Sequence, residues 1–300
     1  MDSKLAQKCT ILSLIGKPNV GKSTLINGLV KYKISIVTPK VQTTRNVIRG
    51  IITEDNVQLV LLDTPGIFEP KVKLERFMVK EAWNSIVQAD KILLLIEPNE
   101  TFDDQTLKII DYIRSKKLPI IVVVNKIDRS NNVILEMLKS KISELLPNSQ
   151  MFFISALNNT NIDLLYKDLL NNAANSPWLY DSDEITTAPM KFMASEITRE
   201  KLFTSLHQEL PYNLTVETEA WNQKSENTAV VNQVIIVTRD SHKAMILGKS
   251  GEKIKQISMA AREEIEKNLN MKIHLYLHLK VRKWTEKPSL YLLGDLQDTK

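Results

Sequence analysis

Residues Gly16-Lys17-Pro18-Asn19-Val20-Gly21-Lys22-Ser23 follow an aliphatic run at 11–15 and precede a helix-forming stretch at 23–32. The spacing G-x-x-x-x-G-K-S between a strand and a helix makes a loop whose successive amides face an anion, with a helix N-terminus behind them. Lys22 is expected to bring positive charge to the β- and γ-phosphates, and Ser23 a hydroxyl to Mg²⁺. Asp63-Thr64-Pro65-Gly66 ends a second aliphatic run at 57–62. Ligands of parallel sheets gather at such strand ends, so Asp63 is expected to hold Mg²⁺ through water and the Gly66 N–H to reach the γ-phosphate. Asn125-Lys126-Ile127-Asp128 follows the run at 120–124. A carboxylate there accepts two hydrogen bonds from guanine N1–H and its exocyclic amine, a pair adenine does not offer. Asn125 is expected to brace this loop and the Lys126 stem to cover the base. Ser155-Ala156-Leu157, after the run at 151–154, offers guanine O6 a backbone N–H.

The elements that must position these residues are legible in the hydrophobic pattern. Strand-like runs at 11–15, 57–62, 92–96, 120–124 and 151–154 alternate with helical patterns near 23–32, 74–88, 105–116, 133–145 and 162–173. This alternation predicts an α/β fold, a mostly parallel six-stranded sheet covered by helices. The sixth strand, 47–53, meets 57–62 across Glu54-Asp55-Asn56 and is expected to pair with it as an antiparallel edge hairpin. Asn175-Ser176-Pro177 ends this region, and 180–188 is acidic and polar.

The 300 residues are 43% hydrophobic, enough for packed cores in more than one domain. A single cysteine, Cys9, excludes an internal disulfide and suits a reducing compartment. The first residues lack the apolar core of a secretory signal, and the aliphatic runs are too short to cross a bilayer. A net charge of +5 is compatible with a polyanionic partner and equally with an ordinary basic surface.

The remainder reads as helix (190–209), strand (212–220), strand (230–238), helix (242–247), helix (252–269) and strand (272–284), a smaller α+β domain. Gly248-Lys249-Ser250-Gly251 joins its last two helices, with Lys253 and Lys255 just beyond. The element order and the G-x-x-G loop resemble a type II KH module, whose loop clamps single-stranded RNA backbone. Charge is polarised in the same sense. Residues 181–226 carry four Lys/Arg against nine Asp/Glu, and 238–283 carry eleven against five. Gly248-Lys249-Ser250 also mimics the end of a phosphate loop, but Lys243 stands where the first glycine belongs, which argues against a second nucleotide site. His274 and His278 have metal-ligand spacing for a helix; the alternation of Ile273, Leu275, Leu277, Leu279 and Val281 with polar residues makes this a strand, with its polar face solvated or turned to RNA. Met190, Phe192, Met193 and Leu202 are expected in the core.

The four nucleotide elements occur in the order and spacing of translation-factor-type GTPases, which they resemble. One G domain followed directly by a type II KH domain resembles the Era family, as do GKPNVGKSTLIN, QTTR, DTPGI, VKEAW, NKID and REKLFTSLHQELPY. The resemblance implies an Era-type G domain at 8–175, a linker at 176–188 and a KH domain with a C-terminal extension at 189–300. It further implies GTP hydrolysis, small-subunit assembly, binding of 16S rRNA near its 3′ end, and a cytoplasmic monomer with peripheral contact to the inner membrane. By the same resemblance Thr44 is the switch threonine on Mg²⁺, and Lys22, Thr44 and Gly66 carry catalysis. Ile67 stands where a water-positioning glutamine is usual, so the expected intrinsic turnover is slow. Asn19 matches the potassium-binding asparagine of related bacterial GTPases, making K⁺ a second candidate ion. Asn46 departs from the family's common histidine after TTR, and Trp83 from its usual switch II helix. Two other readings remain: a switch acting on a membrane or protein partner without RNA, and a tRNA-modification GTPase, which usually ends in a reactive cysteine.

Overall fold

The computed structural model describes residues 6–206 and 210–289. Residues 207–209 of the expected first KH helix, the end of the C-terminal extension and Thr299-Lys300 lie outside the described residues. The chain forms two compact units.

Among the described residues, the first unit comprises 6–35, 44–70 and 78–187. Its six strands are β1 (Lys8–Ile15), β2 (Ile48–Glu54), β3 (Val57–Asp63), β4 (Lys91–Ile96), β5 (Ile120–Val124) and β6 (Gln150–Phe153), in the spatial order β2-β3-β1-β4-β5-β6. All neighbours are parallel except β2 and β3, which pair antiparallel from Ile48–Asp63 to Glu54–Val57. The hairpin across residues 54–57 forms as expected. Every residue of β3 is buried, because helices pack against the strand and Trp178 and Tyr180 lie beside its Val60 and Leu62. The main core packs Ile15, Ile92, Leu94, Ile96, Val122 and Val124 against helix faces carrying Ile109, Ile110, Ile113, Leu138 and Ile142. Each such side chain contributes roughly 1.5–3 kcal/mol on burial. Helices α1 (Lys22–Val30), α2 (Lys73–Val87), α3 (Asp104–Ser115), α4 (Asn132–Leu145) and α5 (Ile162–Asn171) fall within a few residues of their predicted spans. α3 is capped by Asp103, whose carboxylate accepts the Thr106 N–H at 2.9 Å. β1 lies between β3 and β4, so the sheet changes direction of winding at its C-terminal end, where ligands of such sheets bind.

Residues 176–187 do not hang free of this unit. Trp178 and Tyr180 pack beside Cys9, Val60 and Leu62. Gln58, fully buried in β3, accepts the Leu179 and Tyr180 N–H groups at 2.9 and 3.1 Å and donates to the Tyr180 carbonyl at 2.9 Å. Gly50 then bridges Thr186 antiparallel, and the Ile51 N–H donates to the Ile185 carbonyl at 2.7 Å. Two aromatic rings and one buried amide outweigh the polar composition of the segment.

Among the described residues, the second unit gathers 36–43 and 71–77 with 188–206 and 210–289. Its elements are α6 (Met190–Ser205), β7 (Leu214–Ser225), β8 (Thr228–Val237), α7 (Asp240–Leu247), α8 (Glu252–Leu269) and β9 (Lys272–Val281). The order is the one expected, in a sheet β7-β8-β9 with the first pair antiparallel and the second parallel. β7 runs past the expected end at residue 220, through register shifts at 218/220 and 223/225, because an exposed polar hairpin tip carries no periodic signal. Phe192, Met193 and Leu202 are buried as expected, whereas Met190, the first residue of α6, is half exposed. A helix's first turn overhangs its packing face, which explains the difference.

Candidate functional site

β1 delivers the phosphate loop, and two of its glycines are fixed by what lies against them. A Cβ at Gly16 would stand 2.4 Å from the Leu95 carbonyl oxygen, and one at Gly21 2.2 Å from Asn125 Nδ2. Gly21 is also the left-handed N-cap of α1, at φ 97°. Lys22 Nζ donates to the carbonyls of Gly16 and Lys17 at 3.0 and 2.9 Å, which holds the ammonium inside the loop. Burial pulls its pKa down to about 8 against the charge of Asp63.

Ser23, Thr44 and Asp63 meet. Ser23 Oγ donates to Asp63 Oδ2 at 2.7 Å and lies 2.8 Å from Thr44 Oγ1; Thr44 Oγ1 donates to the same carboxylate oxygen at 3.5 Å. Asp63 Oδ1 is buried without a hydrogen-bond partner. Burial raises the Asp63 pKa, opposed by the Ser23 hydroxyl, the Lys22 charge and the hydroxyls of Ser35 and Thr44. Two hydroxyls and a buried carboxylate with an unused oxygen suit a hard, oxygen-preferring cation such as Mg²⁺. Among the described residues no cluster of three or more His, Cys, Asp or Glu offers a rival metal site, and β9 places His274 and His278 on a strand.

Gly66 is packed on the loop itself. A Cβ there would overlap Pro18 N, Cα and Cγ at 2.6–2.8 Å. The Ile67 N–H donates to the Gly16 carbonyl at 3.1 Å, and Gln105 Nε2 donates to the Ile67 carbonyl at 2.9 Å. The Ile67 side chain enters the main core. Thr64 is turned inward, its hydroxyl donating to the Leu14 carbonyl at 2.5 Å, so it ties β3 to β1 and does not point at ligand. Pro65 is buried beside it.

The base loop is braced on the phosphate loop. Asn125 Nδ2 donates to the Val20 carbonyl at 2.8 Å, and its Oδ1 accepts the Ala156 N–H at 2.9 Å. Lys126 reaches across to the Asn19 carbonyl at 2.6 Å and pairs with Glu97. The Ser155 hydroxyl donates to Asp128 Oδ1, and Arg129 Nε lies 3.9 Å from Asp128 Oδ2, so both oxygens of the carboxylate are oriented by neighbours. The Ser155 amide bonds Thr160 and the Ala156 amide bonds Asn125, so within this segment the Leu157 amide is the donor left open to a base.

Lys17 turns its side chain to carboxylates. Its ammonium is bound 2.9 Å from both Glu100 and Asp103 at the start of α3. Glu97, Glu100 and Gln105 are thus site-supporting residues that motif reading missed. The available signal was position: all three follow the C-terminal end of β4, the edge at which the other motifs lie.

In the second unit the loop after α7 is bent backbone. Gly248 (φ 70°), Ser250 (φ 52°) and Gly251 (φ 77°) all have positive φ. A Cβ at Gly248 would stand 2.6 Å from Lys253 Cβ, whereas Gly251 has open space. Lys249, Ser250 and Lys255 are exposed around this bend and Lys253 is half-buried against it, a cationic turn at the N-terminus of the eighteen-residue α8.

A family model described as a 50S ribosome-binding GTPase matches residues 11–126, and a KH-domain model matches residues 209–285. GTPase Era of Rickettsia conorii is 48% identical over 286 residues, covering 95% of this chain and 84% of that protein. GTPase Era of Rickettsia canadensis is 47% identical over 290 residues, covering 96% and 98%. A crystal structure of Era in complex with MgGDPNP and nucleotides 1506–1542 of 16S ribosomal RNA superposes with a TM-score of 0.90 at 35% identity, covering 96% of this chain and 99% of the other. A point variant of Aquifex aeolicus Era bound to GDP·AlF4⁻ gives a TM-score of 0.91 at 35% identity, with the same coverage of 96% and 99%. Relatedness of this degree along nearly the whole chain, over both the nucleotide cradle and the G-x-x-G loop, means that this chain belongs to the Era family of GTPases.

Proposed function

We propose that this chain hydrolyses GTP and couples that cycle to 16S rRNA near its 3′ end, as a small-subunit assembly factor. The observation that carries the nucleotide half is the bracing of Asn125 on both Val20 and Ala156, which sets Asp128 at a fixed offset from the phosphate loop. One ligand must then present a guanine edge and a phosphate chain together. Gly16–Ser23 amides and Lys22 bind the phosphates, Asp128 selects the base, and the Lys126 stem lies over it. Ser23, Thr44 and Asp63 would hold Mg²⁺, which when bound neutralises charge developing on the transferred phosphoryl group. The Gly66 amide senses the terminal phosphate from its seat on Pro18.

With Ile67 packed in the core, the chain has no side chain after Gly66 to align water, which supports slow intrinsic turnover. Asn19, in a left-handed conformation inside the loop, is the proposed K⁺ residue; equal GTPase rates in K⁺ and Na⁺ buffers would remove that assignment. The RNA half rests on the bent cationic turn 248–251. The related Era was crystallised with nucleotides 1506–1542, and the equivalent RNA is the proposed ligand here. Changing Gly248 and Gly251 together to Asp is expected to weaken binding of that RNA strongly; unchanged affinity would refute the assignment of RNA to this loop. Selectivity for GTP over ATP in magnesium buffer tests the nucleotide assignment separately. Among the described residues no helix is long and apolar enough to cross a membrane. We propose a cytoplasmic monomer with peripheral inner-membrane contact, checked by fractionation and by sedimentation.

A further inference from the structure

We infer that the outer face of β9 is a second RNA-contact surface, one that stacks unpaired bases, separate from the 248–251 loop. The inference rests on the RNA-binding reading above and extends it. A G-x-x-G loop clamps about four nucleotides, so an RNA of greater length must be held elsewhere as well.

β9 alternates sharply. Ile273 is buried, and Leu275, Leu277 and Leu279 pack partly buried against the helix-covered cores. Lys272, His274, Tyr276 and His278 point the other way and are exposed, Tyr276 at 55%. Successive residues on that face are ~6.7 Å apart, two strand steps, a stride close to that of nucleotides in an extended single strand. His274, Tyr276 and His278 therefore form a row of three flat rings at nucleotide-like intervals. In the parallel register with β8 they lie beside Val230, Asn232 and Val234; Val230 and Asn232 are partly exposed, so the open part of the face is around His274 and Tyr276, while Val234 beside His278 is buried.

Charge favours a polyanion at both ends of the row. Lys272 precedes it, Arg282 follows it, and residues 272–283 contain no carboxylate. The acidic side chains of this sheet, Glu217 and Glu219, stand on the far strand β7, where Glu219 pairs with Lys280. Rings between flanking cations are the combination that binds single strands through stacking and phosphate contact. A protein partner would gain little from the row, where among the described residues Tyr276 is the one large exposed aromatic.

The test uses the full chain and a 37-nucleotide RNA equivalent to nucleotides 1506–1542 of the related complex. Tyr276→Ala is expected to weaken binding about 5- to 150-fold, the value of one stacked base. Tyr276→Phe, which keeps the ring, is expected to bind within about 2-fold of the parent. Ultraviolet crosslinking followed by peptide mapping should place RNA on the 272–282 peptide. An unchanged affinity for Tyr276→Ala, or equal losses for Ala and Phe, overturns the inference, with a thermal melt confirming that both variants fold. The Gly248/Gly251 double Asp variant, run beside them, separates the two readings. If it alone loses RNA, the loop stands and the β9 surface falls. If only Tyr276→Ala loses RNA, the β9 surface stands and the loop falls.

Discussion

Gly21 and Asn125 interlock: the Asn125 amide nitrogen occupies the space in which any side chain at residue 21 would begin, 2.2 Å from the position of a Cβ. From there it donates to the Val20 carbonyl. The phosphate loop and the base loop, over a hundred residues apart, are one mechanical unit because glycine leaves a gap and asparagine fills it.

Gly21→Ala therefore strikes both loops. The φ of 97° is strained for alanine, and Asn125 has to retreat. Stability is expected to fall by about 1–3 kcal/mol, and affinity for GDP and GTP to fall together by at least ~10-fold. Thermal melts and titration with a fluorescent guanine nucleotide check this; a binding curve superimposable on the parent's would show that the interlock is dispensable.

Gly66→Ala separates the two nucleotides. An added methyl would overlap Pro18 and is expected to push the 63–67 segment off the loop while leaving the base loop untouched. Turnover is expected to drop by about 100-fold, the scale for losing one preorganised donor, with GDP affinity changed less than ~3-fold. Single-turnover kinetics beside GDP titration decide it, and an equal loss of GDP affinity would contradict the division of roles.

Asp128→Asn alters which base is held. The amide replaces one acceptor with a donor, which faces the guanine amine badly and a xanthine carbonyl well. GTP affinity is expected to fall by roughly 100-fold and XTP affinity to rise above it. Competition binding with the two triphosphates measures the exchange.

Gln58→Met tests the attachment of residues 176–187. It leaves two backbone N–H groups and one carbonyl without their partner inside a buried strand neighbourhood. The expected cost is about 3 kcal/mol, read from denaturant unfolding as a lower midpoint. A loss below ~0.5 kcal/mol would mean that Trp178, Tyr180 and the backbone pairing of Ile185 and Thr186 hold the segment without Gln58.

Much of this was legible in the chain itself. Alternating aliphatic runs and helical spacings set the two-domain α/β plus α+β plan, because periodicity reports burial directly, and the spacing of Lys22, Ser23, Asp63 and Asp128 set the class of ligand. The 248–251 loop was readable because the element order around its two glycines and the polarised charge set it apart from an ordinary helix–helix turn. Tertiary structure decided the supporting roles, since they depend on contacts between distant residues of ordinary type. Gln58 is unremarked in a strand until Leu179 and Tyr180 arrive beside it, and Glu97, Glu100 and Gln105 matter through the partners they meet. Thr64 and Lys17 lie within nucleotide motifs yet turn their side chains to Leu14 and to Glu100 and Asp103. A motif fixes which backbone passes the ligand; packing fixes where each side chain goes.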